Sequence, residues 1–83
     1  MKLLYFAWLR ERIGKAEEQV DPPAGVDTVG ELVAWLARRD EQYAYAFANP
    51  KVIRAAIDRS HVRADAKIAG ASEIAFFPPM TGG

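Results

Sequence analysis

The spacing of apolar residues switches between the two-residue period of a strand and the longer period of a helix as the chain is followed from its start. Lys2 to Leu9 is dense in aromatic and large aliphatic side chains, which predicts a first strand. Leu3, Tyr5, Ala7 and Leu9 fall on one side of it and Lys2, Leu4, Phe6 and Trp8 on the other; Lys2 marks the second side as the solvent face. Phe6 and Trp8 are therefore expected outside. Arg10 to Lys15 reads as a turn closed by Gly14, leading into a second strand over Ala16 to Val20, so the opening is predicted to be a hairpin.

Asp21-Pro22-Pro23-Ala24-Gly25 breaks the pattern, and Thr28-Val29-Gly30-Glu31 then matches a capping box, with Thr28 as N-cap and Glu31 reaching back to its amide. A helix starts there. Val29, Leu32, Val33 and Leu36 form its apolar stripe, and Arg38, Arg39 and Asp40 mark its polar end. Glu41 to Ala48, with Tyr43, Ala44 and Phe47 at helical spacing, is a second short helix or turn ending at Asn49-Pro50. Lys51 to Asp58 alternates again as a third strand, with Ile53, Ala55 and Ile57 inward and Val52, Arg54, Ala56 and Asp58 outward. Arg59-Ser60 is its turn, His61-Val62-Arg63 a short return strand, and an irregular stretch runs from there to the final strand at Glu73.

One helix crossing a mixed sheet of about five strands is the economical way for so short a chain to bury its apolar faces. The order of elements is that of a β-grasp, an α+β fold. With the first and last strands side by side in the middle of the sheet, Phe6, Trp8 and Phe77 gather on the face away from the helix. A soluble monomer rarely leaves such a patch open. Aromatics that each bury about 150–250 Å² are enough to anchor a protein interface of ordinary size.

The last strand, with Ile74 and Phe76 on one side and Glu73, Ala75 and Phe77 on the other, stops at Pro78-Pro79. Neither proline can donate a ladder hydrogen bond, and each restrains its predecessor to extended backbone. The division is thus a domain over residues 1–77 and an extended tail over 78–83. Fully extended, that tail reaches roughly 20 Å at about 3.3–3.6 Å per residue. It ends in Thr81-Gly82-Gly83. Without a Cβ, a backbone fits a channel too narrow for side chains and exposes its carbonyl to close approach. A glycine pair at a frayed terminus means little alone; the strand and the stiff diproline ahead of it give it direction.

Composition narrows the chemistry. The chain has 83 residues, room for a single core, and its 11 basic and 11 acidic residues cancel, which argues against the positive field of a nucleic-acid binder. With no cysteine and one histidine it offers no disulfide, no thiolate nucleophile and no Cys- or His-rich metal site. No Ser/His/Asp arrangement or phosphate-cradling glycine loop is present, so the chain is not expected to be catalytic alone. Neither a signal peptide nor an apolar run of membrane-spanning length is visible, and the expected setting is the cytoplasm, without membrane contact.

The segment Glu-Ile-Ala-Phe-Phe-Pro-Pro-Met-Thr-Gly-Gly from Glu73 to Gly83 resembles the C-terminus of the small subunit of molybdopterin synthase, a ubiquitin-like sulfur carrier. Tyr5-Phe6-Ala7 with Arg10-Glu11 and Gly14 is similar to that family's opening, and Thr28-Val29 with Glu31-Leu32 to its helix start. The resemblance implies that the terminal carboxylate is adenylated with ATP by an activating enzyme, sulfurated from a sulfur donor protein, and used in the large synthase subunit. There the thiocarboxylate donates sulfur to cyclic pyranopterin monophosphate within a heterotetramer. No cofactor is implied as permanently bound; ATP belongs to the activating partner.

By the same resemblance Gly83 is the position that carries adenylate or sulfur, Gly82 and Thr81 thread the channel, and Phe6 and Phe77 dock the partners, with Trp8, Pro78 and Pro79 beside them. His61 stands where the family often has an aliphatic residue, at the edge of that interface; a surface imidazole is the plainer alternative. For Arg10 and Arg12 a solvated turn is the plainer reading, with a phosphate or an acidic partner as the alternative. A carrier for thiazole synthesis, a ubiquitin-like protein modifier and a plain interaction module remain alternatives; the Phe-Phe-Pro-Pro run disfavours the first two.

Overall fold

In the computed structural model, which describes residues 1–79, the strands β1 (Lys2–Tyr5) and β5 (Glu73–Phe77) lie side by side and parallel, with Leu3 level with Ile74 and Tyr5 with Phe76. Those four side chains are buried, while Leu4, Ala75 and Phe77 between them face the other way. Strand β2 (Glu17–Gln19) runs antiparallel to β1 on one side. On the other, β3 (Arg54–Ile57) runs antiparallel to β5 and β4 (Ser60–Val62) to β3, giving the order β2-β1-β5-β3-β4. This is the mixed five-stranded sheet of a β-grasp.

Among the described residues three helices cover the inner face: the expected main one, the expected short second one, and one more ahead of them. The capping box holds: in α2 (Val29–Ala37) the Glu31 backbone N–H donates to Thr28 Oγ1 at 3.2 Å, and Glu31 Oε1 accepts from the Thr28 backbone N–H at 3.0 Å. Val29, Leu32, Val33 and Leu36 enter the core as the stripe required. The first free N–H groups of α2 go to the loop that returns to β5, Val29 to the Ala66 carbonyl and Gly30 to that of Ala64 at 2.8 Å. A Cβ on Gly30 would sit 3.3 Å from that same carbonyl oxygen, so glycine is what lets loop and helix approach. Thr28→Ala is expected to cost about 1 kcal/mol and lower the melting temperature by roughly 4–8 °C, readable by circular dichroism.

The helix α3 (Glu41–Ala46), capped by Asp40 Oδ1 accepting from the Tyr43 N–H, buries Tyr43 and places Phe47 edge-on to Phe76, 5.5 Å between centroids. Of the three residues noted at helical spacing, Tyr43 and Phe47 are buried and Ala44 is exposed, with Ala46 buried beside them.

The opening departs from expectation. The first strand stops at Tyr5, and Ala7–Ile13, assigned to strand and turn, is a helix, α1. The chain leaves the sheet at Ala7, whose φ of 55° is left-handed, a conformation costing about 1–2 kcal/mol for a residue with a Cβ. No glycine or proline announces that bend. Once in α1, Leu9 and Ile13 are one turn apart and both buried, and Gly14 closes it in the left-handed region, φ 89°, its N–H donating to the Arg10 carbonyl. Gly14 is thus a helix terminator, and the β1–β2 hairpin carries a helix in its loop.

Smaller shifts occur near β3. Pro50–Val52 is a short 3-10 turn, so the third strand begins at Arg54, and its reversal is made by Asp58 and Arg59, both left-handed at φ 46° and 75°, one residue earlier than expected. Asp58 is also fixed from behind: its Oδ1 accepts the backbone N–H groups of Ser72 and Glu73 at 3.1 and 3.0 Å. That tie sets where β5 enters the sheet.

Candidate functional site

The outer sheet face changes character along β5. At the entry end Lys2 lies level with Glu73 and pairs with Glu17 on β2 at 3.2 Å, a polar, solvated corner. In the middle, Leu4, Ala75 and Ala56 lie level with one another across three strands. At the exit end Phe77 faces Arg54 across the β5–β3 pair, and Phe6 is level with Phe77 because its N–H continues the ladder to the Phe76 carbonyl at 3.1 Å. Phe6 is 48% exposed. The face is therefore polar where β5 begins and apolar where the tail leaves.

His61 belongs to this face. It sits opposite Ala56, and the small methyl there lets the imidazole reach across β3 to Phe77, edge to face with 5.2 Å between ring centroids. Ala56, assigned outward, is on the outward side as expected but buried, beneath that contact. Pro78 and Pro79 follow Phe77 outside any regular element and half-buried. Thr81, Gly82 and Gly83 lie outside the described residues.

Trp8 does not join the face. Helix α1 begins between it and Phe6, so the alternation that placed the two together fails, and Trp8 is half-buried against the core side with the Arg12 guanidinium 4.4 Å from its ring. The same guanidinium lies 4.3 Å from the ring of Tyr45 on α3, so Arg12, read as a turn residue, clasps α1 to α3 by cation–π contact. Arg10, the other cation considered there, is exposed on α1.

A second polar assembly, not foreseen, lies at the opposite edge of the sheet. Glu18 on β2 turns inward, and its Oε2 accepts from the hydroxyls of Tyr5 at 2.7 Å and Tyr43 at 2.6 Å. Its Oε1 faces Lys15 Nζ at 3.6 Å and Arg39 Nη1 at 3.4 Å. Burial alone would raise the Glu18 carboxyl, but the two tyrosine hydroxyls and the two cations outweigh it and hold the group below the usual carboxylate range. Burial, and next the bond to Glu18, pushes both phenols up. No buried side-chain polar atom among the described residues lacks a partner, and the cluster joins β1, β2 and α3, so it ties structure together.

Chemically, the described residues offer a five-stranded sheet whose outer face carries an apolar patch beside the exit of β5. Comparison with known proteins places that arrangement. The chain belongs to the ThiS family, whose profile matches residues 3–83. Within it, the chain goes with the molybdopterin synthase sulfur carrier subunits. It is 35% identical over 83 residues to the protein of that name from Escherichia coli (strain K12), covering 100% of this chain and 99% of that one. To its counterpart in Haemophilus influenzae it is 34% identical over 84 residues, with the same coverage. Among solved structures, SAMP1 from Haloferax volcanii superposes with a TM-score of 0.73 at 25% identity, over 100% of this chain and 98% of that one. A putative molybdopterin converting factor subunit 1 from Pyrococcus furiosus gives 0.72 over 94% of each chain at 24% identity, a likeness of fold.

Proposed function

We propose that the chain carries sulfur as a thiocarboxylate on Gly83 and delivers it, docked through its outer face, into the large subunit of molybdopterin synthase. The observation that carries this is the exit of β5: a central strand runs through Phe77 into Pro78-Pro79 beside the apolar patch of Leu4, Phe6 and Phe77. A body that binds there holds the tail in its own interior.

The chemistry follows from the carboxylate's poor electrophilicity. Its oxygen attacks the α-phosphorus of ATP on an activating enzyme, pyrophosphate leaves, and the acyl carbon now bears AMP as leaving group. Sulfur at the oxidation level of sulfide, brought by a donor protein, adds to that carbon and expels AMP. Gly83 is left as a thiocarboxylate, with no change in electron count. Gly82 and Thr81 thread the large subunit's channel, and the sulfur passes to cyclic pyranopterin monophosphate, one carrier for each sulfur of the dithiolene. The two relatives that share about a third of the sequence favour this over a thiazole carrier or a protein modifier.

Intact mass spectrometry tests the proposal. Incubated with a molybdopterin-pathway activating enzyme, ATP and a sulfur source, the protein is expected to gain the mass difference of sulfur for oxygen at its terminal residue; an unchanged mass with a competent enzyme rejects it. Docking is tested separately by Phe77→Ala. Binding to the large subunit is expected to weaken by about thirtyfold, as for an aromatic anchor of roughly 2 kcal/mol, measured by calorimetry. Stability is expected to fall by no more than about 1 kcal/mol, because the ring lies on the open face.

A further inference from the structure

The chain is neutral overall, yet residues 51–67 hold five of its 11 cations, Lys51, Arg54, Arg59, Arg63 and Lys67, and only two of its 11 anions. One of those, Asp58, is already engaged by the Ser72 and Glu73 backbone. Among the described residues no ion pair involves any of the five cations. Three of them, Lys51, Arg54 and Arg63, surround an open hollow of about 360 Å³ floored by Ile53 and Val62. Arg54 Nη1 donates to the Lys51 carbonyl at 3.1 Å, which fixes the guanidinium beside the hollow and leaves further N–H groups for another acceptor.

Two features adjoin it. On the helix side, Val29, Val33, Ile53, Ala55 and Val62 line an apolar niche of about 70 Å³, room for one small aliphatic side chain. On the sheet side, β4 is an open edge. The two-residue turn at Asp58 and Arg59 makes Ile57 and Ser60 a hydrogen-bonded pair, and Ala55 and Val62 the next one. The pair between them, Ala56 and His61, is the non-bonded kind, so the His61 backbone N–H and C=O point away from β3 toward solvent. Cations, an apolar socket and a free backbone donor and acceptor thus lie within one edge.

We propose that the β3–β4 edge is a second docking element, receiving an extended, acid-flanked aliphatic segment of the protein that accepts the tail. This rests on the function proposed above. The segment's backbone pairs with His61 as an added strand, one aliphatic side chain fills the niche, and its carboxylates meet Arg54, Arg63 and Lys51. Arg54 stands directly across from Phe77, so this contact is continuous with the outer face beside the exit of β5 and wraps the partner from there round the β4 edge. A uniformly apolar or basic partner surface would dock poorly there.

The test measures binding of the full chain to the molybdopterin synthase large subunit. The double variant Arg54→Glu/Arg63→Glu, both side chains exposed, is expected to keep its melting temperature, to bind about tenfold more weakly and to lose most of the salt dependence of association. Arg10→Glu on α1 serves as the control, expected within twofold of the parent. Amide hydrogen exchange at His61 is expected to slow in the complex. Affinity unchanged in the double variant while Phe77→Ala weakens it overturns the edge and leaves the proposed function standing; unaltered exchange at His61 overturns the added strand. No binding by the parent chain rejects both.

Discussion

A chain lengthened by one alanine after Gly83 is expected to melt at the parent temperature and to carry no detectable sulfur. The added residue moves the acyl carbon to be activated by about 3.3–3.6 Å and puts a methyl group on the part that must thread the channel. Misplacing a reacting atom by about 1 Å costs on the order of a hundredfold in rate, so a shift of a whole residue is expected to abolish both adenylation and delivery. Folding has no stake in the change, because the core closes at Phe76 and the last sheet residue is Phe77. The readouts are intact mass after incubation with the activating enzyme, and thermal unfolding followed by circular dichroism. Thiocarboxylate on the lengthened chain would mean that activation does not depend on the length and glycine character of the tail.

The outer face was legible where strand parity holds and illegible where it breaks. Along β5 the alternation of Ile74 and Phe76 against Ala75 and Phe77 is bounded by Glu73 and two prolines, so both the faces and the ends follow from sequence. Along β1 the parity argument is good as far as Phe6, which the ladder bond to Phe76 keeps in register, and fails at the next residue. Both faces of Lys2 to Leu9 are apolar, so a switch from strand to helix changes no visible pattern. The one-turn spacing of Leu9 and Ile13 and the glycine after them were the available signal for α1. Topology survived the error, because a helix placed inside a hairpin loop leaves both strands antiparallel neighbours.

The contacts that organise the site at a distance were not legible in the same way. His61 reaches Phe77 only because β4 folds back on β3 and Ala56 leaves space beneath, a coincidence of three strands that no local window contains. The basic edge went unread in the sequence because its cations are spread over residues 51–67, and its meaning depends on the niche between α2 and β3, whose walls come from residues more than thirty positions apart, such as Val29 and Val62.

Replacing Glu18 by alanine is expected to destabilise the fold by about 2–4 kcal/mol, although the residue lies on an edge strand. Its carboxylate joins β1 through Tyr5, α3 through Tyr43 and the end of α2 through Arg39, partners 13, 25 and 21 residues away in sequence. Removing it leaves two phenolic hydroxyls without their acceptor, each costing about 1–3 kcal/mol where water cannot reach. Tyr5 is 1% and Tyr43 3% exposed, so water offers neither hydroxyl much of a replacement, and the neighbouring Lys15 and Arg39 carry only donors and cannot stand in for the carboxylate. The same bonds make stability depend on acid. The folded-state pKa of Glu18 is depressed, so its contribution is fully present above the unfolded value near 4.5 and is lost as pH falls through the lower folded value. Urea unfolding of the parent and of Glu18→Ala is thus expected to give curves well separated at pH 7 that draw closer as pH falls below 4.5. A gap that stays constant with pH would assign the cost to lost packing rather than to the carboxylate.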